Sequence, residues 1–332
     1  MKVPAHGRNM DIVTPRAQQY PEQAATALAR LQTLVASDPA LNGAKIENML
    51  RLVPGRRAII AGWLKDKPAV FRVSLHPEET ASFLREWQEL QRASTYMNSG
   101  KSQIAAPMTL GAGAEVLVVQ RAQGHQMLDF ITRLTPPDRI AQVTEATTWL
   151  ARYQAPTLET SPTGWKKWFS RAQAALATQT HPELLEVEQR VLRRMKTLGR
   201  NLEATGAWRT AIGHGDFHPN NLMVGPDKVL RGIDLGGSGR IPIYKDMARF
   251  LTHLSRRGVT ISGTRRFGVD AATYDAFVAA CNLDEVEATL CLPFMICFET
   301  LIRVEHPAMP ARRVAHGVKL AKSLLADLRR LD

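Results

Sequence analysis

The stretch His214-Gly215-Asp216-Phe217-His218-Pro219-Asn220-Asn221, followed by Gly232-Ile233-Asp234-Leu235, decides the fold of this chain. It contains a carboxylate at Asp216, an amide five residues later at Asn221, and a second carboxylate thirteen residues further on at Asp234. Short apolar runs on both sides of the turn Gly225-Pro226-Asp227 predict a β-hairpin. This hairpin would bring Asp234 back beside Asn221.

Phosphoryl transfer from ATP needs oxygen-bearing side chains in such an arrangement. One carboxylate orients the attacking hydroxyl, while an amide oxygen and a second carboxylate hold the magnesium ions that bridge the nucleotide phosphates. We therefore predict that Asp216 is the catalytic residue and that Asn221 and Asp234 are the Mg²⁺ ligands. His214 is predicted to be a structural residue of the loop, hydrogen-bonded to backbone.

The residues alone leave two alternatives open. His214, Asp216 and His218 could form a hydrolytic metal centre, although such a centre needs further His or Asp ligands and no second cluster of that kind follows in the sequence. The segment could also be a polar hairpin without chemistry.

The pattern H-G-D-x-x-x-x-N followed by I-D resembles the catalytic core of the aminoglycoside phosphotransferase family, a branch of the protein-kinase-like superfamily. The resemblance implies an α+β, two-lobed fold, with ATP and Mg²⁺ as cofactors and a hydroxyl of a small molecule as acceptor. It also implies the domain organisation. The polar sequence of residues 1–20 predicts a flexible tail. Residues 21–122 would then form a small lobe with a five-stranded antiparallel sheet and one main helix, and 123–332 a helical lobe with the catalytic hairpin.

Hydrophobic periodicity predicts individual elements along the chain. Strands are expected near 46–53, 57–64, 69–75, 106–110 and 115–120. Helices are expected near 21–36, 78–95, 137–153, 165–176, 182–205 and 312–330. A segment rich in Pro, Thr and Ser at 155–164 is interpreted as a linker.

The resemblance also indicates nucleotide-binding residues. The family has a lysine in the third strand, paired with a glutamate in the next helix; here Arg72 and Glu86 stand at those positions. Gln120 and Ala122 lie where the family's interlobe hinge contacts adenine. Arginine differs from lysine in shape, which is compatible with a working variant, a slow enzyme or a pseudokinase that binds nucleotide. We favour a working enzyme, because the downstream polar residues are all present. Arg72 and Glu86 could also be an unrelated strand arginine and a surface acid.

Composition limits the remaining classes of function. The 332 residues are 45% hydrophobic and 22% charged, which is ordinary for a globular protein. We expect a cytoplasmic protein, because the sequence has no signal-peptide pattern and no apolar run near the roughly 20 residues that span a bilayer.

The odd count of three cysteines predicts free buried thiols. Nucleic-acid binding ranks last, because no recognised module accompanies the charge. Oligomeric state stays open.

The net charge of +12 is unevenly distributed along the chain. Seven basic residues and one acid, Asp246, lie between Arg240 and Arg266, directly after the predicted metal ligand Asp234. This run is either a solvated basic face or an attraction for an anionic partner. A polycationic aminoglycoside would be repelled there, so we expect a neutral-to-anionic acceptor, such as a sugar, rather than an antibiotic. Asp246 is predicted to cap or anchor its helix, and Arg56 and Arg57 to touch phosphate or face solvent.

Overall fold

The computed structural model describes residues 19–331. This part divides into two compact units, 19–98 with 104–122 and 99–103 with 123–331. The predicted tail, 1–20, lies outside the described residues except for its last two positions. None of the described helices is long and apolar enough to cross a membrane.

The first unit is built on an antiparallel sheet of five strands in the order β1-β2-β3-β6-β5. Its strands are β1 (Lys45–Val53), β2 (Arg57–Leu64), β3 (Lys67–Ser74), β5 (Pro107–Leu110) and β6 (Val116–Gln120). Its helices are α1 (Pro21–Ser37) and α2 (Pro77–Ser94). Lys65 and Asp66, both at positive φ, form the two-residue turn that sets the register of β2 against β3. The five strands expected from the sequence form one sheet, and the unit contains two long helices, α1 and α2.

The core of this unit forms between the sheet and α1. Ala27 and Leu31 of α1 are fully buried against inward-facing sheet residues such as Ile60, Phe71 and Val118. Burying an aliphatic side chain of this size contributes about 1.5–3 kcal/mol. The alternating apolar residues of the sequence therefore become one face of the sheet.

The second unit is mostly helical. Its helices are α3 (Met127–Ile131), α4 (Pro136–Gln154), α5 (Trp165–Leu176), α6 (Pro182–Thr205), α7 (Ile243–Arg256), α8 (Ala271–Ala280), α9 (Leu292–Ile302) and α10 (Ala311–Leu328). A π-helical turn, Glu287–Cys291, leads into α9. The helices predicted at 137–153, 165–176, 182–205 and 312–330 are confirmed to within about two residues at either end.

Small sheets position the loops of this unit. One has the order β4-β11-β10-β7, one the order β12-β9-β8, and β13 pairs with β14. Their bounds are β4 (Ser102–Ile104), β7 (His125–Gln126), β8 (Glu159–Pro162), β9 (Ala207–Gly213), β10 (Leu222–Val224), β11 (Leu230–Gly232), β12 (Gly239–Pro242), β13 (Arg265–Arg266) and β14 (Val269–Asp270). The prediction of a linker at 155–164 was wrong in part. Glu159–Pro162 is a strand, because it pairs with β9.

Helix α7 crosses the centre of the second unit, and all of its residues are buried. The interpretation of the basic run as a solvated face was therefore wrong for this helix, because Lys245, Arg249 and Arg256 lie inside the unit. An aromatic column runs beside the helix. Trp149 stacks on Phe217 with ring centroids 5.6 Å apart, and Phe217 stacks on Phe250 at 5.3 Å.

The three cysteines are free. Cys291 and Cys297 are buried as predicted, whereas Cys281 is only partly so. Burial raises the pKa of Cys281 and of Cys291 to about 12, and it raises the pKa of Cys297 as well.

Candidate active site

The predicted hairpin is present and brings two of the candidate residues to the same end of two strands. Strands β10 and β11 are antiparallel, with Leu222 opposite Gly232. The N–H of Ile233 donates to the carbonyl of Asn221 at 2.9 Å. Asn221 thus directly precedes the paired region, and Asp234 directly follows it.

His214 has a structural environment, as predicted. It is fully buried, and its Nε2 lies 3.0 Å from the carbonyl oxygen of Ile233. This contact ties the loop to the strand that leads into Asp234. The alternative of a hydrolytic metal centre has no support here, because no three His, Cys, Asp or Glu side chains within 19–331 gather to hold a metal ion.

Asp246 holds the backbone of the same loop. Its buried carboxylate accepts hydrogen bonds from the N–H groups of His214 at 2.7 Å and Gly215 at 3.0 Å. The prediction that Asp246 caps its own helix was wrong. Pro242 is the N-cap residue of α7, and the carboxylate bonds to the loop because two backbone donors there would otherwise be buried without acceptors.

The loop needs a glycine at position 215. Gly215 has φ +82°, and a Cβ at this position would lie 1.9 Å from the carbonyl oxygen of Gly237. Its own carbonyl accepts a hydrogen bond from Lys245 Nζ. The two backbone segments therefore approach more closely than any side chain allows.

Asp216 is surrounded by positive charge. Its Oδ1 accepts from Arg249 Nε at 2.7 Å and from Arg303 Nη2 at 3.3 Å, and its Oδ2 lies 3.4 Å from His218 Nε2. Burial acts to raise its pKa, but the hydrogen bond from His218 and the charge of Arg249 outweigh burial and hold the pKa of Asp216 well below its usual range. The side chain stays 43% exposed. It is therefore an accessible carboxylate that accepts hydrogen bonds and has little affinity for a proton.

Asn221 is buried, and a hydrogen bond from its amide nitrogen orients its side chain. Nδ2 donates to the backbone carbonyl of Asp216 at 3.0 Å, which fixes the amide plane and leaves the amide oxygen for another partner. Asp234 has φ 64° and ψ 55°, the left-handed conformation that Asp and Asn tolerate better than most residues. An amide oxygen and a carboxylate are donors of the kind that a hard divalent cation prefers.

In the first unit, Arg72 and Glu86 form a buried ion pair through Arg72 Nη1 and Glu86 Oε1. The guanidinium also lies 5.9 Å from the ring centroid of Phe83. The alternative of an unrelated arginine and a surface acid was wrong for these contacts, because both side chains are buried and bonded to each other.

The hinge candidates lie at the end of β6 and just beyond it. Gln120 is paired with Ala69 of β3 and is exposed. Ala122, two residues later, makes no backbone hydrogen bond within the described part of the chain. Its N–H and carbonyl can therefore still bond to a ligand.

Both arginines of the β1–β2 turn bond to an acidic side chain, and Arg56 is also exposed to solvent, as expected. A contact with phosphate stays a prediction. Arg56 Nε and Arg57 Nη1 donate to the buried carboxylate of Glu79 at 2.8 and 2.9 Å. Burial acts to raise the pKa of Glu79, but these arginines lower it overall. Glu79 therefore anchors the turn to the start of α2.

Sequence reasoning missed Arg303. It reaches Asp216 from a position 87 residues away in the chain, beyond the end of α9, and no local pattern marks it. Arg249 was included only as a member of the basic run, without its contact to Asp216.

The chain has an α+β, protein-kinase-like fold, which a solved aminoglycoside phosphotransferase shares. A sequence model described as the phosphotransferase enzyme family matches residues 56–279, which is more than half of the chain. The chain belongs to this family.

Solved structures share the fold at low sequence identity. An amicoumacin kinase in complex with AMP-PNP and Ca²⁺ has a TM-score of 0.58 at 13% identity, covering 94% of this chain and 100% of its own. A microcompartment-associated aminopropanol kinase has a TM-score of 0.58 at 14%, covering 91% and 97%. An aminoglycoside phosphotransferase from Alicyclobacillus acidocaldarius has a TM-score of 0.55 at 15%, covering 90% and 95%. The search of curated proteins found no match.

Proposed function

We propose that this phosphotransferase is an ATP- and Mg²⁺-dependent kinase that phosphorylates a hydroxyl of a small, neutral-to-anionic metabolite, such as a sugar. The observation that carries the proposal is the geometry of the catalytic loop. Asn221 bonds to the backbone of Asp216 at 3.0 Å and to the strand that precedes Asp234 at 2.9 Å. The amicoumacin kinase of the same fold binds AMP-PNP and Ca²⁺, which supports the use of nucleotide and divalent metal here.

Asp216 is the residue that would orient the acceptor hydroxyl. Its carboxylate is ionised and exposed enough to accept a hydrogen bond from an incoming O–H group. Phosphoryl transfer has a loose transition state, which needs placement of the hydroxyl more than a strong base. A carboxylate with a low pKa suits that role.

Asn221 and Asp234 would hold the magnesium ion. The amide orientation of Asn221 fits this role, because its nitrogen is used by the backbone and its oxygen is available. When bound, the ion supplies positive charge that stabilises the transferring phosphoryl group.

Arg72, Glu86, Gln120 and Ala122 would bind the nucleotide. Glu86 fixes the guanidinium of Arg72, as an acid would fix a lysine at this position. An arginine fork can bind phosphate oxygens in a bidentate manner. The unbonded backbone of Ala122 supports a contact with adenine.

A pseudokinase is the second candidate, favoured by the arginine at position 72 in place of the usual lysine. It would bind ATP without transferring phosphate. The presence of Asp216 and Asn221 before the β10–β11 hairpin and of Asp234 directly after it favours the working enzyme.

The test is a screen for ADP release from Mg·ATP with pooled metabolites, run beside Asp216→Asn. We expect turnover to fall by a factor of about 10³ or more in the variant, while AMP-PNP binding stays as in the wild type. Asp275→Asn, a change at an exposed aspartate paired with Arg266, is the matched control and should keep full activity. Nucleotide binding without ADP release in any pool would favour the pseudokinase, and equal turnover by Asp216→Asn would refute the role of Asp216.

A further inference from the structure

Arg249 has hydrogen-bond donors that the protein does not use. The residue is 9% exposed, and within 19–331 its side chain makes one hydrogen bond, from Nε to Asp216. A guanidinium carries five N–H donors. Both terminal nitrogens of Arg249 therefore remain for a ligand, and neither is among the polar atoms that the fold buries without a partner.

Arg303 approaches the same carboxylate oxygen from another part of the chain. Its Nη2 lies 3.3 Å from Asp216 Oδ1 and its Nε 3.3 Å from Glu299 Oε2. Both distances are at the long end for hydrogen bonds. The side chain is 37% exposed, so this guanidinium can turn toward a ligand at little cost.

The surroundings of these two arginines remain positive. The side chain of Arg257 has no hydrogen-bond or ion-pair partner in the described part of the chain, and burial together with nearby Arg313 lowers its pKa, against the opposing charges of Glu305 and Asp129. Burial and the charges of His218, Arg249, Arg257 and Arg313 lower the pKa of His253 to about 2.

We propose that Arg249 and Arg303 form a binding subsite for an oxyanion of the acceptor, so that the substrate is a small hydroxyl compound that carries a carboxylate or a phosphate. This inference rests on the proposed function and specifies its acceptor. The planar arginine fork binds either anion through paired hydrogen bonds. Because both guanidiniums also contact Asp216, an anion on them brings a nearby hydroxyl of the same molecule to the catalytic carboxylate.

The subsite also acts against cationic acceptors. An ammonium group near Asp216 would meet two arginines instead of a free carboxylate, and like charges at such distances repel. The positive charge of the two arginines therefore disfavours acceptors that carry an amino group. The aminopropanol kinase, by its name, acts on an acceptor of that kind.

Calorimetry tests the subsite directly. Inorganic phosphate and malonate are titrated separately into the full chain saturated with Mg·AMP-PNP, which occupies the nucleotide phosphate sites. We expect saturable binding of at least one anion, weakened tenfold or more by Arg303→Gln and less by Arg303→Lys. Arg266→Gln, at an exposed arginine paired with Asp275, should bind like the wild type. The anion that binds more tightly shows whether the acceptor carries a phosphate or a carboxylate. Absence of saturable binding by both, or equal binding by Arg303→Gln, would overturn the inference.

Turnover gives a second criterion with acceptors that share one skeleton. Glucose, glucosamine, glucuronate and glucose 6-phosphate are compared by kcat/KM for ADP release. Higher kcat/KM for an acidic sugar, with its KM raised tenfold or more by Arg303→Gln and the KM for ATP unchanged, supports the subsite. Preference for glucosamine would overturn it and leave the proposed kinase function intact. Failure of the wider metabolite screen counts against the kinase function, whereas the calorimetric result still decides the subsite.

Discussion

The buried carboxylate of Asp246 accepts a hydrogen bond from the backbone N–H of His214 at 2.7 Å. Because Asp246 and Arg249 both belong to α7, one helix fixes the backbone of the loop that contains Asp216 and contacts the side chain of Asp216. The position of Asp216 therefore depends on a residue that does not touch it.

Asp246→Asn should lower both stability and turnover. The amide has one acceptor oxygen in place of two, so one loop N–H loses its partner, at a cost of about 1–3 kcal/mol. A small displacement of Asp216 should lower kcat by about 10²-fold. Chemical denaturation and ADP release measure the two effects. Asp275→Asn serves as the control, and a wild-type kcat in Asp246→Asn would contradict this role.

Gly215→Ala and Gly263→Ala form a matched pair at positive φ. A Cβ on Gly263 meets nothing within 4 Å, so the strain of its φ of +80° should cost only about 1–2 kcal/mol. A Cβ on Gly215 would meet the Gly237 carbonyl. We expect Gly215→Ala to lose turnover and at least about 3 kcal/mol of unfolding free energy. Equal effects of the two substitutions would show that the close approach is unimportant.

Arg72→Met and Arg72→Lys test the nucleotide contact. Methionine leaves Glu86 as a buried charge without its cation, which costs about 3–5 kcal/mol, and it should raise the KM for ATP tenfold or more. Lysine keeps the charge but not the planar fork, so the KM should rise less than in Arg72→Met. Steady-state kinetics in ATP measures this, with Arg30→Met, at a more exposed pair with Glu115, as control. A wild-type KM in Arg72→Met would exclude a phosphate contact.

Glu188 should make stability depend on pH. Burial raises its pKa to about 7 from an ordinary value of 4.5, despite the hydrogen bond from Gln179 and the charge of Arg256. Between these pH values the folded chain keeps a proton that the unfolded chain has released, so stability falls as pH rises through this window. The unfolding free energy of the wild type relative to Glu188→Gln should decline by up to about 1.4 kcal/mol per pH unit. A difference that is independent of pH from 4.5 to 7 would refute the raised pKa.

The sequence was sufficient to predict the helices and strands that have a clear local pattern. The long helices have apolar residues at helical spacing, and the β10–β11 hairpin has a turn between two apolar runs. The ion pair of Arg72 and Glu86 was also predictable, because a family resemblance gives both positions.

Short strands whose partners are distant in sequence were not predictable. Glu159–Pro162 has four residues and no clear alternation, and its pairing with Ala207–Gly213 makes it a strand. The roles of Arg303 and Glu79 were not predicted for the same reason. Their contacts with Asp216 and with Arg56 and Arg57 arise only once the chain is folded.

The raised pKa values of the thiols of Cys281, Cys291 and Cys297 have a practical consequence. Maleimide reagents attack the thiolate, and with raised pKa values all three thiols are almost wholly protonated at neutral pH. A cysteine introduced at an exposed position can therefore be labelled with a fluorophore in the otherwise unchanged protein, without first removing the native thiols.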